Sequence, residues 1–112
     1  MFVGKSKYII ITTTYPSKEQ GLRNLVRSLL DAKLAACVQI LPVKSFYTWE
    51  GNSEENNEML LIIKTQKALY KRVEAKIKSV HPYEVPQIIS IDIKNGLGAY
   101  LQWIEDNTKL VP

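Results

Sequence analysis

The stretch VHPYEVP, residues 80 to 86, gathers an unusual density of functional groups: His81, the only histidine of the chain, directly precedes Pro82, and Tyr83 and Glu84 follow before Pro86. Histidine is the commonest transition-metal ligand, and the adjoining phenol and carboxylate add to the functional groups at this corner. The same residues also suit a corner. His81 follows a helix-like run, whose C-terminal end favours a donating or positive side chain, and Pro82 biases it toward extended geometry. Cys37 is the only thiol. As a thiolate it could bind a soft metal if a cation such as Lys64 lay nearby; in an alternating strand it serves equally as a small buried hydrophobe. Glu50, Glu54, Glu55 and Glu58 surround the segment EGNSEENN, but their spacing matches no EF-hand loop, and a solvated acidic loop explains them. Lys67, Lys71, Arg72, Lys76 and Lys78 recur at helical spacing, which reads as a solvated basic face.

Several functions are disfavoured by what the sequence lacks. TTTYPSKEQG offers hydroxyls and lysine, but neither a glycine-rich phosphate loop nor a nucleophile paired with a base, so no hydrolase or other enzyme is indicated. The strand MLLIIKT carries no aromatic residue on which a nucleobase could stack, which argues against RNA recognition. A structural zinc site usually takes four nitrogen or sulfur ligands, whereas each chain offers one histidine and one cysteine. Any divalent-cation site would borrow carboxylates such as Glu58 or Glu84 and would be weak and open.

The elements that must position these residues are legible from periodicity. Tyr8 to Thr14 is β-branched and nearly all apolar, as expected of a central strand buried on both faces. Ser17 and Gln20 have capping-box spacing, and Leu22, Leu25, Val26, Leu29 and Leu30 predict an amphipathic helix to about Lys33. Leu34 to Trp49 reads as extended, with Pro42 favouring an edge or a bend. After the polar turn EGNSEENN comes the apolar strand MLLIIKT, then a helix striped by Leu69, Val73, Ile77 and Val80. QIISIDI alternates, with Ile89, Ile91 and Ile93 on one face, and GLGAYLQWIEDNT predicts a short final helix. The order is that of an α+β, ferredoxin-like βαββαβ sandwich with an extra C-terminal helix, the first and third strands central.

The chain has 112 residues, 46% of them hydrophobic, enough for one domain over residues 1–112 that buries roughly two-thirds of its unfolded surface. A net charge of +4 is spread over 15 basic and 11 acidic residues without a block of like charge, which gives no reason to expect a nucleic-acid partner. The lone cysteine and the lack of a signal peptide or an apolar run of membrane-spanning length point to the cytoplasm.

A strand from Leu34 to Trp49, at roughly 3.3 Å per residue, would reach about 50 Å, against an ordinary length of about 17 to 20 Å. One small sheet is not expected to pair all of it. Self-association covering Phe46, Tyr47 and Trp49 is one solution, with Pro42 marking a change of direction. A surface hairpin arm beyond Pro42 is the other.

The ordered set KLAACVQI, SFYTWEG, IIKT, HPYEVPQI and GLGAYLQWI strongly resembles the CutA family, the divalent-cation-tolerance proteins, from Ile11 to Trp103. The resemblance implies a non-enzymatic ferredoxin-like protomer in a homotrimer, similar in architecture to the PII signal proteins, and a link to divalent metals, copper among them. It further implies a pocket drawn from Cys37, Trp49, Lys64, His81, Tyr83 and Glu84, with His81 and Cys37 as the candidate ligands for a weakly bound divalent cation such as copper. The family pattern of some members, a cysteine near the end of the first strand and an extra histidine before HPY, is replaced here by Thr12 to Thr14 and Val80. A second reading is a PII-like sensor that takes an anionic metabolite near Lys64 in a cleft between subunits. The resemblance names no downstream partner.

Overall fold

The isoleucines and threonines after Tyr8 do what β-branched side chains favour and form a strand, β1 (Tyr8–Pro16). The structure is a computed structural model and describes residues 6–17 and 20–110. The chain continues through α1 (Gly21–Asp31), β2 (Cys37–Trp49), β3 (Asn52–Gln66), α2 (Tyr70–Val80), β4 (Ile88–Asp92) and α3 (Gly98–Asp106), with a short 3-10 turn, Lys67–Leu69, leading into α2. The sheet order is β2-β3-β1-β4, every neighbouring pair antiparallel. This is the ferredoxin-like plan predicted from the sequence, with β1 and β3 central and an added C-terminal helix.

One face of the sheet makes the core. Ile9 and Ile11 of β1 and Leu61 and Ile63 of β3 are fully buried in one cluster with Leu25 and Leu29 of α1 and Val73 and Ile77 of α2. The second face is covered only in part, so β1 alternates between buried and half-buried residues where burial on both faces was expected. At one end α3 ties down this second face. Tyr8 Oη donates to Glu105 at 3.0 Å, Lys64 Nζ donates to Tyr100 Oη at 3.3 Å, and Gln66 Nε2 donates to Thr108 Oγ1 at 2.7 Å. Beyond α3 the face is open. Leu41 is 40% exposed, Ile89 51% and Ile91 55%; the alternating isoleucines of β4 point away from the core, and Ile88 packs against it.

The hairpin of β2 and β3 departs most from expectation. β3 begins at Asn52, so the segment read as a polar turn is mostly strand. Only Glu50 and Gly51 turn the chain, both left-handed, at φ 49° and 80°. The pairing runs without interruption from Cys37 opposite Lys64 to Trp49 opposite Asn52, with Pro42 opposite Met59. Pro42 therefore marks no change of direction; β2 is an edge strand in this chain, where a residue without an N–H is tolerated. The far half of β2 is paired after all, by β3. Because β1 meets β3 only as far as Pro16 opposite Glu58, the rest of the hairpin projects as a two-stranded arm.

Helix ends show smaller differences. α1 starts at Gly21 with Gln20 as its N-cap and no side-chain cap, so the box predicted from Ser17 and Gln20 does not form; Lys18 and Glu19 lie outside the described residues. The helix stops at Asp31, and Lys33 turns left-handed at φ 60°. Val80, expected on the buried stripe of α2, is 52% exposed, since α2 ends at that residue and the chain turns away.

Candidate functional site: a cleft between a proline corner and a hairpin arm

α2 ends where the residue before Pro82 must leave helical geometry, and His81 is extended at φ −72° and ψ 135°. Its backbone N–H still caps the helix, donating to the Ile77 carbonyl at 3.0 Å. The ring reaches across to β1: Nε2 lies 2.6 Å from the Thr14 carbonyl oxygen. A carbonyl only accepts, so Nε2 carries the proton, and Nδ1 is left to accept from the Tyr83 N–H at 3.1 Å. Both ring nitrogens are thus engaged within the chain. The imidazole also packs between two phenols, its centroid 4.5 Å from that of Tyr15 and 4.9 Å from that of Tyr83.

Tyr83 carries the corner on to the sheet. Its hydroxyl donates to Glu58 Oε2 at 2.7 Å, at the point where β3 leaves β1 and enters the arm. Burial, and then the hydrogen bond to the Glu58 carboxylate, hold the Tyr83 phenol well above the usual tyrosine range. Glu58 itself is only 4% exposed. Between corner and arm opens a cleft of about 810 Å³, whose walls include Thr14, Tyr47, Trp49, Glu58, Tyr83 and Glu84. Among the described residues none that lines it is a lysine, arginine or histidine.

The residues expected to share one pocket therefore occupy different places in a single chain. Trp49, Tyr83 and Glu84 line the cleft, and His81 stands behind it as a brace. Cys37 and Lys64 face each other across the β2–β3 ladder, about 20 Å along the strand from Glu58 at the usual rise per residue. Lys64 is held over the Tyr100 ring, its Nζ 5.4 Å from the centroid, and Cys37 is a half-buried free thiol. This arrangement gives no support to an anionic ligand seated beside Lys64 in the cleft. Of the expected arm contacts, Phe46 is 70% exposed and Tyr47 and Trp49 are each 40% exposed.

Two cleft residues carry more than sequence reasoning assigns them: Glu58, counted there in a solvated acidic loop and as a carboxylate that a cation site could borrow, and Thr14, counted as strand. The available signal was the position of Glu58 immediately before the apolar run of β3. The other hairpin carboxylates stay outside the cleft, and Glu55 pairs with Lys44 at 3.5 Å. Among the described residues no group of three or more His, Cys, Asp or Glu side chains is placed to hold a metal ion.

Comparison with known proteins agrees with this architecture. The family model described as CutA1 divalent ion tolerance protein matches residues 9–107. The chain is 40% identical over 101 residues to the divalent-cation tolerance protein CutA of Pyrococcus horikoshii, covering 90% of this chain and 98% of that one. It is 42% identical over 102 residues to a chloroplastic CutA 1 of Oryza sativa, of which it spans only 57% while 90% of this chain is covered. The crystal structure of CutA1 from a psychrotrophic Shewanella superposes with a TM-score of 0.87 at 40% identity, over 94% of this chain and 98% of that one. Fold, length of match and identity lead to one conclusion: the chain belongs to the CutA divalent-cation-tolerance family.

Proposed function

We infer that this protein acts as a non-enzymatic divalent-cation-tolerance protein, working as a homotrimer and meeting metal ions such as copper through weak, exchangeable contacts. The observation that carries this reading is the family match over residues 9–107. The trimer is supported by the open second face of the sheet, where Leu41, Ile89 and Ile91 are exposed together with Trp103, and by the projecting arm with Phe46, Tyr47 and Trp49. An apolar face of this kind calls for a partner surface, and copies of the same chain are the partner proposed. Nucleic acid is not: the open face of β3 presents Leu60, Ile62 and Lys64, with no ring for a base to stack on.

Metal contact would run through His81 or Cys37. Its weakness follows from geometry, because an ion at His81 must displace either the Thr14 or the Tyr83 hydrogen bond, and among the described residues Cys37 belongs to no cluster of metal-ligating side chains. A cytoplasmic home belongs to the same reading, supported by the unpaired thiol of Cys37. No helix among the described residues is long and apolar enough to cross a membrane. Sedimentation equilibrium at micromolar concentration tests the assembly: three times the chain mass is expected, and a monomer would contradict the reading. Cell fractionation tests the location.

A further inference from the structure

The charge of this chain is not shared evenly between its two layers. α1 carries Arg23 and Arg27 against Asp31, and α2 carries Lys71, Arg72, Lys76 and Lys78 against Glu74. The whole net charge of +4 therefore lies on these two helices, and the basic and acidic residues of the rest of the chain balance. Every arginine of the sequence is here. Cations outside the helices answer groups of their own chain: Lys7 pairs with Glu105 at 2.7 Å, Lys44 with Glu55 at 3.5 Å and Lys67 with Asp92 at 3.2 Å. On the helices Arg23, Arg27, Lys71 and Lys78 are exposed. Their spacing sets Arg23, Arg27 and Leu30 in one stripe along α1, and Lys71, Ala75 and Lys78 in another along α2. Leu30 is itself 37% exposed.

A solvated face arranged for stability would look different. Helix N-termini favour acids, yet the first turn of α1 holds Arg23 and that of α2 holds Lys71 and Arg72. Arg23 with Arg27 and Arg72 with Lys76 are like charges four residues apart, which repel. Arg27 with Asp31 and Glu74 with Lys78 attract at the same spacing; the first-turn cations add nothing to either helix. Such a face answers an external anion. Because β1 and β3 are antiparallel, the helices that return from them run in opposite directions, and the first-turn cations lie at both ends of a layer about 16 Å long. In the assembly proposed above the open sheet face meets other copies, so the helices point away from the threefold axis, and three layers facing different ways do not meet one membrane plane. A phosphate backbone would use the cations and leave Leu30 unmatched. We propose that the outer face of α1 and α2 docks an acidic segment of another protein, with carboxylates on Arg23, Arg27, Lys71 and Lys78 and an apolar side chain against Leu30. The arginine fork suits a planar carboxylate, and about five extended residues at roughly 3.3 Å each span the layer. The proposal goes beyond the metal-tolerance reading and is tested without metal.

The test titrates the whole purified protein into a fluorescein-labelled peptide of repeated Glu-Glu-Leu, followed by anisotropy, beside the same peptide with Gln for Glu. A short DNA duplex and phosphatidylserine vesicles are titrated in the same buffer. The acidic peptide is expected to saturate, to bind about tenfold or more tighter than the Gln peptide, and to weaken about tenfold or more as salt is raised from about 0.01 to 1 M. The paired substitution Arg23→Glu and Lys71→Glu is expected to lose about tenfold or more of the affinity. Its thermal midpoint should not fall, because each change puts an acid in a first turn. A face that is only structural would show the opposite pattern. No saturable binding of the acidic peptide, equal binding of the Gln peptide, undiminished binding to the paired variant, or tighter binding of the duplex or the vesicles would overturn the proposal. The comparison among ligands uses the unaltered protein, so it decides the matter even if the variant fails to fold.

Discussion

The hydroxyl of Tyr83 donates a 2.7 Å hydrogen bond to Oε2 of Glu58, a residue 25 positions earlier in the chain, and so fastens the corner after α2 to the base of the hairpin arm. His81 holds the same corner from the other side, through the Thr14 carbonyl. The two bonds together fix one wall of the cleft relative to the other. They also explain why two prolines flank the segment: Pro82 and Pro86 restrict the free chain, so less conformational entropy is lost when the corner is fixed.

Tyr83→Phe removes the donor to a nearly buried carboxylate and is expected to lower stability by about 1–2 kcal/mol, the lower part of the range for hydrogen bonds to charged groups because Tyr83 is half-exposed. The phenol is raised above its ordinary value of 10.0 by burial and then by Glu58. Its stabilising contribution is therefore complete below that value and is lost as pH rises above it, where the unfolded chain ionises first. Urea denaturation from about pH 9 to 11 should show a steeper loss of stability in the unaltered protein than in Tyr83→Phe. Parallel curves would count against this account of the bond.

His81→Ala deletes both ring hydrogen bonds and the packing against Tyr15 and Tyr83. A loss of about 2.5–3.5 kcal/mol is expected in denaturant unfolding, since each neutral hydrogen bond contributes about 1 kcal/mol and ring packing adds about 0.5–1.5. A loss below about 0.5 kcal/mol, within the usual range for surface substitutions, would remove His81 from the role of brace.

Gly51→Ala tests the arm. Gly51 has φ 80° and nothing within 4 Å of an added Cβ, so the cost is purely conformational, about 1 kcal/mol for a left-handed L-residue. Thermal or urea unfolding measures it. A neutral result would mean that the turn relaxes to another form.

The parts of the fold that pack against something inside the chain were legible in the sequence. β1 and β3 announced themselves as central through isoleucine and leucine, and Leu25, Leu29, Val73 and Ile77 marked the core faces of the helices. The arm was not legible, because periodicity records burial. Residues 52–57 have no buried face in a single chain, so their strand carries no alternation and reads as a loop. Pro42 misled for a related reason: its missing donor is a defect only in a strand flanked on both sides. Of the cleft, the corner residues Tyr83 and Glu84 and the arm residue Trp49 were found from functional-group density and motif. The burial of Glu58 was not legible, because its neighbours in sequence are solvated while it is covered by a tyrosine from a distant segment. Long-range burial of that kind leaves no local trace.

The central claim is that this CutA protein meets divalent metal only weakly, with His81 committed to the corner and Cys37 alone on its strand. Calorimetric titration of metal-free protein with copper(II) tests it most directly. The account predicts a dissociation constant in the micromolar range or weaker; nanomolar affinity would contradict it.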